Sequence, residues 1–141
     1  MYVSIKQQKP LFMSNQSIRI VVADDHTLVR KSIVALLNRE PDMEVVGTAE
    51  NGRDAVETAR ETSPDIIVMD ISMPELDGIR AAGEIKRLGL PTRIIMLSMH
   101  HSSALLQQAR KNGATDYIIK QQANTELIPA IRAAFNGPVA N

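Results

Sequence analysis

Ile66-Ile67-Val68-Met69-Asp70 is the stretch on which the reading of this chain turns. Four apolar residues in a row show none of the alternation of a half-exposed strand. Such a run suits a strand covered on both faces, and here an acid closes it. Four more runs rich in Val and Ile look alike: Ile18 to Ala23, Glu44 to Ala49, Arg93 to Leu97 and Thr115 to Ile119, with the quoted run itself spanning Asp65 to Met69. Five strands are predicted. Between them the spacing becomes helical, through Val29, Ile33, Leu36 and Leu37 in Leu28 to Asn38, and Ala55, Val56 and Ala59 in Asp54 to Thr62. Gly78 to Leu88 follows through Ile85 and Leu88, and Ser103 to Asn112 through Leu105, Leu106 and Ala109. A last helix carries the stripe Leu127, Ile131, Ala134 and Phe135. The chain reads as α/β, with (βα) repeated five times.

The boundaries agree with that order. Pro41, Pro64 and Pro91 stand between a helix and the next strand, where a residue without an amide hydrogen costs least. Gly113 follows the fourth helix as a left-handed cap would. Pro129 disagrees. It lies five residues after Asn124, the best N-cap candidate of the last helix, and deletes a helical hydrogen bond there. The apolar stripe argues for the helix all the same, with an irregular first turn.

A chain of 141 residues is one domain, able to bury roughly 70% of its unfolded surface without a disulfide or structural metal. Cysteine is absent, which excludes thiol catalysis, zinc ribbons and disulfide scaffolds. No apolar run approaches the roughly 18 residues that cross a bilayer, so a soluble protein with no membrane role is expected. Residues 1–17 hold Lys6, Lys9 and no acid, and from Ile18 onward fourteen basic side chains face sixteen acidic ones. An acidic body offers a phosphate backbone no cluster of cations, and no nucleic-acid site is expected. Tyr2 and Phe12 lie in the leading segment, which leaves Tyr117 and Phe135 to the body and makes its core aliphatic. Residues 1–17 lack a signal-peptide centre and read as a mobile tail, in which Met13 offers a second start.

Parallel strands with helices on both faces must reverse their winding once. In the five-stranded order 2-1-3-4-5 the reversal falls between strands 1 and 3, and ligands bind outside the carboxyl ends there. Asp24 and Asp25 follow Ile20-Val21-Val22-Ala23, Asp70 follows strand 3, Ser98 ends strand 4 and Lys120 ends strand 5. Each alone reads as a cap, a turn residue or a solvated charge. Together they put three acids, a hydroxyl and an ammonium at one edge.

Val22-Ala23-Asp24-Asp25-His26, Met69-Asp70-Ile71-Ser72-Met73-Pro74-Glu75-Leu76-Asp77-Gly78, Met96-Leu97-Ser98-Met99-His100 and Tyr117-Ile118-Ile119-Lys120 stand in family order. Over about residues 18–137 the chain resembles the receiver domain of two-component response regulators. The first and third stretches look most like the NarL/FixJ-like branch, whose members carry a LuxR-type helix-turn-helix output domain. The resemblance implies a doubly wound, flavodoxin/CheY-like sheet in a cytoplasmic protein. It implies that Asp70 accepts a phosphoryl group from a phosphohistidine on a sensor histidine kinase or a phosphotransfer protein. Mg²⁺, with Mn²⁺ as its substitute, would be held by Asp25, Asp70 and the main-chain carbonyl of Ser72, with Asp24 acting through water. In such relatives the counterparts of Ser98 and Tyr117 move together, altering the surface of helix 4, strand 5 and helix 5, and a homodimer is allowed for. Ser72 and His100 stand where relatives control the attacking water, and so the lifetime of the phosphorylated state.

The residues themselves support this chemistry. Three carboxylates within a few ångströms repel, and at least one takes up a proton unless a cation resolves the charge. The donors on offer are oxygens, with no Cys and no His of suitable spacing, which suits a hard octahedral ion that keeps water. A carboxylate is ionised at neutral pH and attacks phosphorus without a general base, as a nucleophilic Asp70 would. Lys120 and the Ser98 hydroxyl would hold phosphoryl oxygens. Pro74 and Gly78 read as shaping a turn with one position free of steric limits, Asp77 as the cap of helix 3, and His26 as a first-turn residue of helix 1. Met99 is bulkier than the small residue often found beside the switch hydroxyl, which bears on access to Asp70.

Residues 138–141 read as the start of a linker. The chain is expected to be either the receiver of a longer transcription regulator or a single-domain regulator acting on a partner protein. The rivals are a non-phosphorylated interaction module with the same fold, an aspartate phosphatase and an FMN protein. A phosphatase would place an Asp where Ser72 stands, and Asp24 and Asp25 would repel the phosphate of FMN.

Overall fold

The computed structural model describes residues 17–137. The tail expected over residues 1–17 and the linker over 138–141 fall, Ser17 apart, outside the described residues. Strand β1 (Ile18–Ala23) leads to helix α1 (Thr27–Asn38), β2 (Met43–Ala49) to α2 (Gly52–Thr62), and β3 (Ile66–Asp70) to α3 (Gly78–Arg87). β4 (Arg93–Ser98) leads to α4 (Ser103–Lys111), and β5 (Ala114–Ile119) passes through a 3-10 turn (Lys120–Gln122) into α5 (Ala123–Asn136). The strands are parallel, in the order β2-β1-β3-β4-β5. The fold class read from the sequence is the one that forms.

The runs of β1, β3 and β4 have no polar alternation because both faces of the sheet are covered there, whereas the edge strands β2 and β5 are mostly half-buried or exposed. Strand side chains alternate between faces. Val21, Ala23, Ile67, Met69, Ile94 and Met96 point to one side, where Ala55, Val56 and Ala59 of α2 and Ala81, Ala82 and Ile85 of α3 meet them. Ile20, Val22, Ile66, Val68, Ile95 and Leu97 point to the other, onto Ile33 and Leu37 of α1 and Leu127 and Ile131 of α5. Each fully buried Ile or Leu contributes roughly 1.5–3 kcal/mol. Tyr117 and Phe135 pack only at the margins, so the core is aliphatic as expected. At the sheet edges, register shifts leave Val46 of β2 and Thr115 of β5 as extra residues. Such bulges twist an edge away from pairing with another chain.

Two local expectations are corrected. The last helix begins at Ala123 rather than after Asn124, its N-cap position is Gln122 with no side-chain cap, and the irregular turn is the 3-10 turn before it. Pro129 sits inside α5. Gly78 is glycine for close approach and not for a left-handed turn: a Cβ there would lie 2.2 Å from the main-chain oxygen of Asp70. The positive φ of this loop, 69°, belongs to Glu75. Gly78→Ala must move the backbone of Asp70 or the start of α3. It is expected to cost about 2–3 kcal/mol, read as a lower urea midpoint at unchanged m-value. Gly113 does adopt the left-handed side, with φ at 99°, and closes α4 as expected.

A staple holds α5 to the corner between α1 and β2. Arg132 donates to Asp42 Oδ1 and Oδ2 at 2.9 and 3.0 Å and to Glu40 Oε1 at 2.6 Å, and these acids hold its guanidinium above its ordinary range.

Candidate functional site

β1 and β3 are paired neighbours through Ala23 and Met69, so the residues closing these strands meet at the reversal of the winding. Asp24 and Asp70 are buried there, and Asp25 is half-buried. Lys120, the first residue after β5, reaches across on its long stem. Its Nζ lies 2.8 Å from Asp24 Oδ2 and 3.0 Å from Asp70 Oδ2. The backbone N–H of Ser72 donates to Asp70 Oδ1 at 3.2 Å, and that of His26 to Asp24 Oδ1 at 2.8 Å. Arg30 of α1 donates to the main-chain oxygen of Asp24 at 2.8 Å and braces the loop from below. Nothing in the sequence singled out Arg30, since an arginine on the first turns of a helix is ordinarily solvated.

Burial pushes the carboxyl of Asp70 up, and the nearby charge of Asp24 adds to this; the hydrogen bond and charge of Lys120 offset only part. The direction is the one expected of crowded acids, but its main cause is burial, and the neighbouring charge of Asp24 is the smaller part. For Lys120 burial works downward, but its contacts with Asp24 and Asp70 win and hold the ammonium above its ordinary value. Asp24 Oδ2 is paired with the Lys120 ammonium, whereas the buried Asp25 Oδ1 has no hydrogen-bond partner. A buried carboxylate oxygen without a partner beside two further acids is what a divalent cation satisfies, so the residues fit the expected ion.

His26 is placed differently from expectation. It occupies the N-cap position of α1 rather than its first turn, and its side chain makes no cap hydrogen bond. Nδ1 turns into the acidic cluster instead, 3.1 Å from Asp24 Oδ1, 3.3 Å from Asp25 Oδ1 and 3.9 Å from Asp70 Oδ2. The expectation that no histidine is suitably spaced is therefore corrected. A sequence neighbour of Asp25 can reach the acids because its backbone is still extended, with φ −87° and ψ 107°.

Ser98 is buried at the end of β4, and its Oγ donates to the main-chain oxygen of His100 at 2.9 Å. The Tyr117 hydroxyl donates to that same oxygen at 3.0 Å. The two residues expected to move together thus share one acceptor. Ser72 and His100 lie exposed on the loops after β3 and β4. Met99 is half-exposed beside them, at 51%. Asp77 caps α3 by accepting from the N–H of Arg80 at 2.9 Å, as expected.

Residues 20–132 match the response regulator receiver domain family. NarL of Mycobacterium tuberculosis, named as a transcriptional regulatory protein, is 35% identical over 128 residues, which cover 89% of this chain and 59% of that one. A protein-glutamate methylesterase/protein-glutamine glutaminase of Thermotoga maritima is 40% identical over 135 residues, 88% of this chain and 39% of the relative. The chain thus spans well under two thirds of the length of these relatives. The solved receiver domain of M. tuberculosis NarL superposes with a TM-score of 0.84 at 33% identity, covering 87% of this chain and 99% of that one.

Proposed function

The chain belongs to the response regulator receiver domain family, and from that premise we propose that it is a phosphorylation switch whose acceptor is Asp70. The observation that carries the proposal is the cluster itself: one buried carboxylate at the winding reversal, flanked by two more and by the ammonium of Lys120. Receiver domains bind Mg²⁺ at such an acidic pocket and exchange phosphoryl groups with histidine kinases or phosphotransfer proteins. Here Asp25, Asp70 and the Ser72 carbonyl would hold Mg²⁺, or Mn²⁺ in its place, with Asp24 acting through water, and the ion would supply positive charge to the phosphoryl oxygens.

Asp70 attacks phosphorus, a P–O bond forms, and the bond from phosphorus to the donor's imidazole nitrogen breaks with its electron pair leaving on that nitrogen. Lys120 exchanges part of its contact with Asp70 for a phosphoryl oxygen, so the like charges can approach. The Ser98 hydroxyl leaves the His100 carbonyl to bind a further oxygen. Tyr117 then loses the neighbour with which it shared that acceptor and turns inward, which changes the face of α4, β5 and α5. Ser72 and His100 border the path of the water that later hydrolyses the acyl phosphate. His100→Ala is expected to change the hydrolysis rate severalfold with the fold intact, followed as loss of phosphorylated protein by intact mass. An unchanged rate removes that role.

Incubation with Mg²⁺ and acetyl phosphate tests the switch. One added phosphoryl group on the wild type and none on Asp70→Ala supports it, whereas no addition to the wild type favours a non-phosphorylated interaction module. The receiver is taken to span residues 18–137 in a cytoplasmic protein. Among the described residues no helix is long and apolar enough to cross a membrane. The output is proposed to be transcription through a DNA-binding domain outside residues 1–141, as the likeness to NarL suggests. The methylesterase relative favours a second reading, in which the receiver governs an effector enzyme.

A further inference from the structure

We propose that His26 is a ligand of the cation held at this pocket, so that the site prefers first-row transition ions over Mg²⁺ by more than its carboxylates alone would. The inference rests on the reading of the acids as a metal site and adds to it a donor of a different element. The ligand atoms of Asp24, Asp25, His26 and Asp70 all lie within 4.8 Å of one another. In an octahedral shell with bonds of about 2.1 Å, adjacent ligand atoms stand about 3.0 Å apart. Nδ1 of His26 stands 3.3 Å from Asp25 Oδ1, close to the spacing of neighbours in one shell, and 3.1 Å from Asp24 Oδ1.

Electrostatics points the same way. The Asp25 oxygen facing Nδ1 is buried and has no hydrogen-bond partner. An imidazole lone pair and a carboxylate oxygen at that separation need a positive centre between them, either a proton or a metal ion.

The local backbone makes the ring available. An N-cap position ordinarily holds Ser, Thr, Asp or Asn, whose side chain satisfies a helix N–H and contributes about 1 kcal/mol. His26 stands at that position and caps nothing, and its own N–H is tied to Asp24. Its imidazole is spent on the acids instead. The ring is 58% exposed, with one edge on the cluster and the other toward solvent, so an ion can enter without opening the core. A nitrogen donor changes which ion the pocket selects. Carboxylate and water alone suit Mg²⁺, whereas imidazole is a ligand of the first-row transition ions.

The test loads the chain over residues 1–141 with Mn²⁺ and records electron spin echo modulation, alongside calorimetric titrations of Mn²⁺ and Mg²⁺. The wild type is expected to show ¹⁴N modulation from a directly bound imidazole. His26→Ala is expected to lose it, with its Mn²⁺-over-Mg²⁺ preference reduced about tenfold and Mg²⁺ affinity nearly kept. Mn²⁺ binding without ¹⁴N modulation, or an unchanged preference in His26→Ala, overturns the inference and leaves the carboxylate site standing. Failure of both ions to bind the wild type overturns the inference and the metal reading together.

Discussion

Asp70→Asn is expected to abolish phosphoryl uptake and, in metal-free buffer, to make the protein more resistant to urea than the wild type at neutral pH. The first effect follows from removing the proposed nucleophile, since an amide oxygen does not form the acyl phosphate. The second follows from linkage. Burial and Asp24 hold the folded carboxyl of Asp70 above its ordinary value. The stability associated with its protonated form is complete below the ordinary aspartate value and is lost as pH rises through the raised one. The asparagine has no charge to desolvate and escapes that loss. The gap between variant and wild type should be small in acid and widen toward neutrality. Saturating Mg²⁺ should narrow or reverse it, because in the proposed site the wild type would meet the ion with the full set of carboxylates. A gap that stays constant with pH would contradict desolvation of the Asp70 charge as its cause. Denaturant titrations across that range, with and without Mg²⁺, provide the check.

Lys120→Met keeps the stem of the lysine and deletes only its ammonium. Asp24 and Asp70 are then left buried without their counter-charge, and removing one partner of such a set costs about 3 kcal/mol or more. Labelling by acetyl phosphate should slow by about 100-fold or more, the effect of losing one donor to a reacting oxyanion. The pH dependence has the opposite sense at the alkaline end. The ammonium is held above its ordinary value, so its contribution is complete below that value and fades as pH rises through the elevated one. The variant has nothing to lose there. Wild type and Lys120→Met should therefore converge in stability at high pH, as read by circular dichroism in urea.

Much of this architecture is legible because it depends on patterns that survive in one dimension. Unbroken runs such as Ile66-Ile67-Val68-Met69 require cover on both faces, and the strands that carry them are buried on both. The acids, hydroxyl and lysine are legible because each closes a strand, and parallel strands bring those ends to one edge. What escapes is set by distances across loops. His26 reads as a helix residue because it directly precedes the apolar stripe of α1; only its extended backbone turns the ring onto the acids. Gly78 reads as a turn glycine, although its constraint is the Asp70 carbonyl 2.2 Å from an added Cβ, a contact between α3 and β3. Pro129 argues against a regular first turn of α5, yet the helix starts close enough to its expected place that packing of Leu127 and Ile131 on the sheet outweighs one missing hydrogen bond.

The shared acceptor of Ser98 and Tyr117 is of the same kind. Both hydroxyls donate to the main-chain oxygen of His100, which gives the proposed switch a physical basis: when Ser98 leaves, the surroundings of Tyr117 change. Neither hydrogen bond can be read from residue identity, because the acceptor is backbone.

Borohydride trapping tests the central claim most directly. Protein treated with Mg²⁺ and acetyl phosphate is reduced, digested and sequenced by mass spectrometry. An acyl phosphate at Asp70 should appear as homoserine at that position, in a metal-dependent manner and at no other carboxylate. Homoserine at Asp24, Asp25 or Asp77, or no reduced residue despite intact fold and bound Mg²⁺, would contradict it.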